Sequence, residues 1–411
     1  MKILEICTGF PLSFQGGITN YVRSLAQQLY ECGNEVYVLG DEDNEKYEFH
    51  YVGYRTNLNG FVYGPLRDKK GLKWLKIFLE REKFDVIHVH MCINIDWDLY
   101  ELLNQYHYIV SLHDYFFICP RITMIDNCGA SCEKYEEEKC KKCISYLHRL
   151  KAARYIPKLF APSNSATDYM PHVPQKISQM RYEKFRKLLE QADYVLPVSN
   201  RVGEIYSNSG INANYKTLHI GNISANEFDN RKAHVSDGSR VNLVYLGRLS
   251  YYKGVNILTR IADEIDHGRN SIHFWGYSGK YKDLLRDHGI LDHGKYDQNQ
   301  LSDILSNMDI GLVLPIWEDN GPQVVMEMLN NKLPVIATRM GGIPDFINED
   351  NGYLFNPNSN GDIEKVCSYI NGLTKDDILR MKLKINRTIS PAEHCTAICD
   401  IYKEIMGKTI R

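Results

Sequence analysis

The chain is predicted to fold as two α/β domains of similar size. Its 411 residues are too many for one ordinary hydrophobic core. Strand and helix patterns alternate along its whole length, and 44% hydrophobic residues are enough to fill two cores. A formal net charge of -2 gives no bulk attraction for nucleic acid, so no nucleic-acid partner is expected. Partners must be argued from local patches.

The first strand, Ile3 to Cys7, runs into a loop, Thr8 to Thr19, that ends near Gly16 and Gly17. Tyr21, Leu25 and Leu29 mark the apolar face of a helix that stops near Gly33, and strand Glu35 to Leu39 follows. This βαβ opening lacks the spaced three-glycine dinucleotide fingerprint. The glycine pair reads either as a turn or, at Gly17, as a place where backbone approaches a phosphate or sugar. Gly9, Pro11 and Gln15 interrupt the N-terminus before an apolar region of signal-peptide length forms, and no apolar run is long enough to cross a bilayer. A cytoplasmic location is the expectation.

Arg67 to Lys83 carries seven basic and three acidic residues, with Leu72, Leu75, Phe78 and Leu79 on one helical face and Trp74 nearby. The stripe favours a crossover helix packed on a sheet, with a membrane-surface role as the alternative. Strands Asp85 to His90 and Tyr108 to Leu112 extend a parallel set, and His113 stands just past the second, at the edge where open α/β sheets bind ligands. Asp96-Trp97-Asp98 spells a D-x-D, read here as helix capping in preference to a metal site.

Among eleven cysteines, Cys7, Cys32, Cys92, Cys367, Cys395 and Cys399 lie in apolar contexts and read as reduced core residues. Cys119, Cys128, Cys132, Cys140 and Cys143 cluster, and the gap in Cys140-Lys-Lys-Cys143 lets two thiolates reach one tetrahedral ion. Four of the five could close a zinc site that staples the charge-rich loop Arg121 to Lys142; free thiols are the alternative. Lys141 to Lys158 has basic residues and no acids. It suits a phosphate-bearing acceptor or lipid surface, or equally a solvated face neutralised by Glu133 to Glu138.

Helix Met180 to Gln191, strand Tyr194 to Val198 and a short strand Tyr215 to Asn222 close the first half. The second opens with strand Val241 to Leu246 and Gly247-Arg248-Leu249-Ser250-Tyr251-Tyr252-Lys253-Gly254 ahead of helix Val255 to Asp266. Arg248 and Lys253 leave a strand end and a helix start together, so both cations can meet a diphosphate, and the bracketing glycines give backbone room for it. Strands Ser271 to Trp275, Ile290 to Lys295 and Ile310 to Leu314, with helix Gln298 to Asn307, continue the alternation. In Asp319 to Asp345, Asn320 or Gly321 is expected to cap a helix holding Pro322 in its first turn, leaving amides directed at an anion beside Asp319. Glu327 follows on that helix, and strand Pro334 to Ala337 carries Arg339, Gly341 and Gly342 to the same rim. Two acids, helix amides and a glycine turn suggest a sugar nucleotide.

Gly16-Gly17, His113, Gly247-Arg248 with Lys253-Gly254, and Asp319 and Glu327 ahead of Gly341-Gly342-Ile343-Pro344 lie in an order and spacing that resemble the retaining GT-B glycosyltransferases of glycosyltransferase family 4. The resemblance covers nearly the whole chain. It implies an α/β GT-B fold of two Rossmann-like domains facing across a cleft. Residues 1–220 would bind the acceptor, with a cysteine-rich insertion at 119–143 and a returning helix within 391–411. Residues 221–390 would bind the nucleotide sugar.

By the same resemblance Arg248 and Lys253 hold the donor diphosphate, Glu327 reads the ribose, His113 meets the sugar or the attacking hydroxyl, and Gly17 gives a backbone contact to the phosphates, with Gly16 beside it among the substrate-binding residues. The first acid of the family, usually glutamate, falls eight positions before Glu327, on Asp319. Glu318 is the alternative for that role. Gly321, Pro322, Gln323 and Val324 at the helix start, Asn222, and Gly276 and Tyr296 near the base complete the expected donor contacts. His113-Asp114-Tyr115 to Cys119-Pro120 with Cys132, Cys140 and Cys143 resembles a subgroup active in bacterial surface-polysaccharide assembly, which makes these four cysteines the expected structural zinc ligands and Cys128 a substitute.

Retention would need no metal or dedicated base, since cations and helix amides stabilise the departing diphosphate. The implied partners are a UDP- or GDP-linked sugar and a glycan or polyprenyl-lipid-linked acceptor. Contact with the inner face of the plasma membrane would be peripheral. The rivals are a GT-B epimerase or phosphorylase and a catalytically silent sugar-nucleotide-binding protein.

Overall fold

The computed structural model describes residues 1–54, 68–143, 176–221 and 225–408. The chain divides into two compact units, Met1–Leu218 with Cys395–Arg411, and His219–His394.

The sheet of unit 1 contains β1 (Lys2–Thr8), β2 (Glu35–Gly40), β3 (His50–Gly53), β4 (Val86–Cys92), β5 (Tyr108–Leu112) and β6 (Tyr194–Pro197), in the order β3-β2-β1-β4-β5-β6. Unit 2 repeats the plan with β7 (Val241–Arg248), β8 (Asn270–Tyr277), β9 (Leu291–Asp292), β10 (Ile310–Val313), β11 (Val335–Thr338) and β12 (Gly352–Phe355), in the order β12-β11-β10-β7-β8-β9. All the pairings are parallel. Counted within each unit, both sheets read 3-2-1-4-5-6, the doubly wound Rossmann order. That order reverses beside the first strand, between β1 and β4 and between β7 and β10. Crevices open there, beyond the carboxyl ends of the strands.

Parallel neighbours need crossover connections, and the apolar stripes of the helices supply them. Helix Gly17–Glu31 buries Val22, Leu25, Ala26 and Leu29. Helix Lys69–Glu82 buries Leu75, Phe78 and Leu79, and Asp68 caps it by accepting from the Gly71 amide at 2.9 Å. Along β7 alternate residues divide between two cores, with Leu243 and Tyr245 in one and Val244 and Leu246 in the other. Helix Pro391–Met406 starts in unit 2 and, from Cys395, buries Ile398, Ile401, Tyr402 and Ile405 in unit 1.

Several local expectations are corrected. Tyr215 forms a single parallel bridge to Val195 in place of the strand expected from Tyr215 to Asn222, and backbone bonds from Lys216 and Leu218 continue the contact without regular pairing. β9 shrinks to two residues because Gly294 turns the chain with positive φ. β3 was not foreseen, since His50–Gly53 is too short to show a period. Pro322, not Asn320 or Gly321, occupies the N-cap of helix Gln323–Asn330. The D-x-D aspartates do not cap helix Leu99–Leu103 through their side chains: Asp96 accepts from the Asp98 amide at 2.9 Å, and Asp98 pairs with Lys184.

Candidate functional site

A cavity of about 270 Å³ opens in unit 2 at the reversal point between β7 and β10. β7 ends on Gly247 and Arg248, and the loop after β10 returns Pro315 and Asp319 to the same space. Lys253 and the helix start at Gly321, Pro322, Gln323 and Val324 complete its wall. The structure therefore gathers Arg248, Lys253, Asp319 and residues 321–324 around one volume.

Backbone packing makes that gathering possible. Gly254 has φ +83°, and a Cβ there would lie 1.8 Å from the Leu314 carbonyl oxygen. A Cβ on Gly341, at φ +55°, would lie 2.0 Å from the carbonyl oxygen of Asp319. The Gly342 amide donates to that same oxygen at 2.7 Å. The acidic loop is thus held against the glycine turn by its main chain, which leaves the Asp319 side chain for the cavity.

Lys253 Nζ lies 2.8 Å from Asp319 Oδ2 and over the Trp317 ring at 5.3 Å. The Tyr245 hydroxyl donates to the Lys253 carbonyl at 2.7 Å. Arg248 is exposed at the rim, its guanidinium 5.5 Å from the Tyr277 ring. Glu318, by contrast, is only 5% exposed, accepts from the Gly341 amide at 3.0 Å and is not among the residues lining the cavity. One position along the loop separates a side chain that fastens the turn from one that meets the cavity.

Glu327 accepts from Gln298 Nε2 at 3.0 Å, and burial raises its carboxyl above the usual range. Tyr296 packs against the core that holds Val244 and Leu246, its phenol pushed up to about 12 by burial and the nearby Glu327 charge. Gly276 lies against β7, where a Cβ would come within 1.8 Å of the Gly247 carbonyl oxygen, so its first task is close strand packing. Asn222 lies outside the described residues.

At the matching reversal point of unit 1, β1, β4 and the end of β5 bring buried polar side chains together. His113 Nε2 is 3.0 Å from His90 Nδ1, and His90 Nε2 is 2.5 Å from Glu5 Oε2. Tyr402 donates to Glu5 Oε1 at 2.9 Å. His88 joins through Nδ1, 2.7 Å from the Tyr402 hydroxyl, and Nε2, 2.8 Å from Ser111 Oγ. The Tyr21 ring packs on His113 with centroids 4.7 Å apart. Burial pushes the Glu5 carboxyl up to about 8, against the Tyr402 hydrogen bond, and pushes the His90 imidazole down to about 3. Gly16 caps helix Gly17–Glu31, and nothing lies within 4 Å of where a Cβ on Gly17 would be.

Known proteins place this arrangement. The family described as Glycosyltransferase Family 4 matches residues 15–221, and Glycosyl transferases group 1 matches residues 226–388. The chain belongs to glycosyltransferase family 4. It is 28% identical over 233 residues to "Sulfoquinovosyl transferase SQD2" of Arabidopsis thaliana, covering 51% of this chain and 44% of that protein. It is 26% identical over 211 residues to "Putative teichuronic acid biosynthesis glycosyltransferase TuaC" of Bacillus subtilis, covering 50% of this chain and 52% of that one. The chain thus spans about half the length of these curated relatives. Anabaena Alr3699/HepE, solved in complex with UDP, superposes with a TM-score of 0.64 at 12% identity, covering 98% of this chain and all of its own. At that identity the likeness shows the GT-B fold.

In this family 4 chain the cysteine loop departs from a closed cage. Cys119, Cys132, Cys140 and Cys143 are near enough for their charges to interact, and burial pushes the thiols of Cys140 and Cys143 up to about 12 and about 11. Tetrahedral zinc with Zn–S near 2.3 Å sets sulfurs about 3.8 Å apart. Among the described residues no three cysteine sulfurs lie within 4.8 Å of one another. Cys128 is exposed. The basic run beyond Cys143 lies outside the described residues.

Sequence reasoning missed Tyr245, Trp317, Glu5, His88, His90 and Tyr402. A signal existed for three of them. Glu5 interrupts an apolar strand, and His88 and His90 alternate through another, so each is a polar group destined for burial and in need of a partner.

Proposed function

We infer that this family 4 enzyme transfers a sugar from a nucleotide-diphosphate donor to a hydroxyl of a glycan or lipid-linked acceptor, with retention at the anomeric carbon. The observation that carries this reading is the convergence of Arg248, Lys253, Asp319 and the start of helix Gln323–Asn330 on one cavity. Separating an anomeric carbon from a diphosphate builds negative charge on the leaving oxygen. Two cations and first-turn amides aimed at one space stabilise that charge more than the ground state.

An ammonium has three donors, so Lys253 can keep Asp319 while engaging a phosphate oxygen. Asp319 then stands beside the transferred sugar and takes the first acidic role, while Glu327 and Tyr296 take the ribose and base. The diphosphate itself removes the proton of the attacking hydroxyl, so the chemistry calls for neither a metal nor a dedicated protein base. His113, in unit 1, receives the acceptor hydroxyl or a sugar hydroxyl. Zinc, if held by Cys119, Cys132, Cys140 and Cys143, staples the loop and takes no part in transfer, and it requires the four sulfurs to draw together. Metal content per chain, before and after Cys140→Ser, tests that assignment.

Similarity to the Bacillus protein of teichuronic acid biosynthesis supports surface-polysaccharide assembly as the setting, and the UDP held by HepE supports a UDP-linked donor. The test is a panel of UDP- and GDP-sugars scored by thermal shift and then by transfer to glycan acceptors. Donor binding raises the melting temperature by mass action. Absence of any shift at millimolar donor, or full transfer by Arg248→Ala, would remove the reading.

A further inference from the structure

The lysine that meets the unit 2 cavity combines a fixed backbone with a flexible side chain. The Tyr245 hydroxyl donates to the Lys253 carbonyl at 2.7 Å, and the Lys253 amide donates to Ser250 Oγ at 3.2 Å. The Ile316 amide donates to the Tyr252 carbonyl at 2.9 Å, which ties the loop after β7 to the loop after β10. Beyond that frame Lys253 extends a flexible stem to a point charge, and its side chain is 44% exposed. Asp319 Oδ2 holds the ammonium at one point, 2.8 Å away. A single contact lets a long side chain swing about it.

Trp317 supplies a second point. The ammonium stands over its ring, 5.3 Å from the centroid. Trp317 is half-buried, with its indole nitrogen shielded from solvent and without a hydrogen-bond partner among the described residues. Burying an unpaired N–H is unfavourable, and phenylalanine would fill much of the same space without one. Indole, however, attracts a cation more strongly than the other aromatic side chains. Tryptophan makes physical sense at this position when its face, not its polar edge, is what the site uses.

We propose that Trp317 is a positioning residue for Lys253, holding the ammonium between its ring and Asp319 so that the donor diphosphate meets it in place. The proposal rests on the reading of Lys253 as a diphosphate cation. Trp317 itself touches no reacting atom and acts only through the lysine. Placement of the cation matters most once charge has built on the leaving oxygen, so loss of the ring should lower kcat and spare the donor KM.

The experiment is a double-mutant cycle on the full chain: wild type, Trp317→Leu, Lys253→Met and the double variant. Turnover is read as nucleoside diphosphate released from the UDP- or GDP-sugar that gives the largest thermal shift. Trp317→Leu is expected to lower kcat about ten-fold, with the donor KM within about two-fold of wild type. Trp317→Phe, which restores a weaker ring face, should recover part of that loss. In the Lys253→Met background, Trp317→Leu should change kcat by less than about two-fold, because the ring has no ammonium left to hold. A ten-fold loss that persists in that background overturns the proposal, and so does an unchanged kcat in Trp317→Leu. If the melting curve shows that Trp317→Leu folds poorly, Trp317→Phe taken through the same cycle decides. Coupling to Lys253 then supports the proposal, and additivity overturns it.

The Lys253→Met arm tests the underlying reading by itself. Full turnover by Lys253→Met removes the diphosphate role and the proposal with it. Impaired turnover by Lys253→Met, with additive effects of the two substitutions, removes only the positioning role.

Discussion

Two crevices occupy the same address in two copies of one topology and are filled in opposite ways. At the β7/β10 reversal, Gly247 and Gly254 keep the backbone bare, and the space left is a cavity rimmed by Arg248, Lys253 and Asp319. At the β1/β4 reversal, Glu5, His88 and His90 fill the space with side chains that satisfy one another. The strand order provides the crevice, and the residues placed there decide whether it receives a ligand or locks a network. In one site charge is available at a surface; in the other it is confined and regulated by burial.

Removing charge from the open site should produce the largest effect. Arg248→Ala and Lys253→Ala are each expected to lower kcat by roughly 10²–10³-fold with little change in melting temperature, the scale of losing one donor to a developing anion. Steady-state kinetics with thermal melts checks this. Gly254→Ala attacks the same site through its frame. Its Cβ would meet the Leu314 carbonyl at 1.8 Å from a positive φ, so a loss of about 2–4 kcal/mol in urea unfolding is expected.

The closed site should respond to pH instead. Glu5 rises from 4.5 unfolded to about 8 folded, so the stability it contributes is present below 4.5 and lost as pH climbs to 8. His90 falls from 6.5 unfolded to about 3 folded, so its part is present above 6.5 and lost as pH drops to 3. The two slopes cancel between 4.5 and 6.5, leaving a plateau with a decline on either side. Glu5→Gln should abolish the alkaline decline, on the order of a few kcal/mol, and keep the acid one. Urea midpoints across pH 3 to 9 measure both arms. Tyr402→Phe should do least, costing about 1–2 kcal/mol and shifting the alkaline decline upward, because it removes the hydrogen bond that favours ionised Glu5.

The open site was legible in the sequence, whereas the closed one showed only as His113 and as polar residues inside apolar strands, without their pairing, for a physical reason. Arg248, Lys253, Asp319 and Gly254 lie near strand ends and turns, where residue type reports directly on ligand or backbone geometry. The alternation of strands likewise announced both sheets, although β3 and β9 were too short to carry a reliable pattern. Between Glu318 and Asp319 the spacing pointed to the second, and the Gly341 amide donating to Glu318 explains why Asp319 is the one that meets Lys253 and the cavity. The chain from Tyr402 to His113 depends on pairings as distant as 397 residues, which no local pattern encodes.

That distance also constrains synthesis. Glu5 is synthesised well before its partner, and the hydroxyl that completes its burial arrives 397 residues later. At about 5–20 residues per second the strand waits roughly 20–80 seconds for its partner. During that interval the nascent first unit carries an acid in mid-sheet with one hydrogen bond unmade, so its final packing step waits for helix Pro391–Met406.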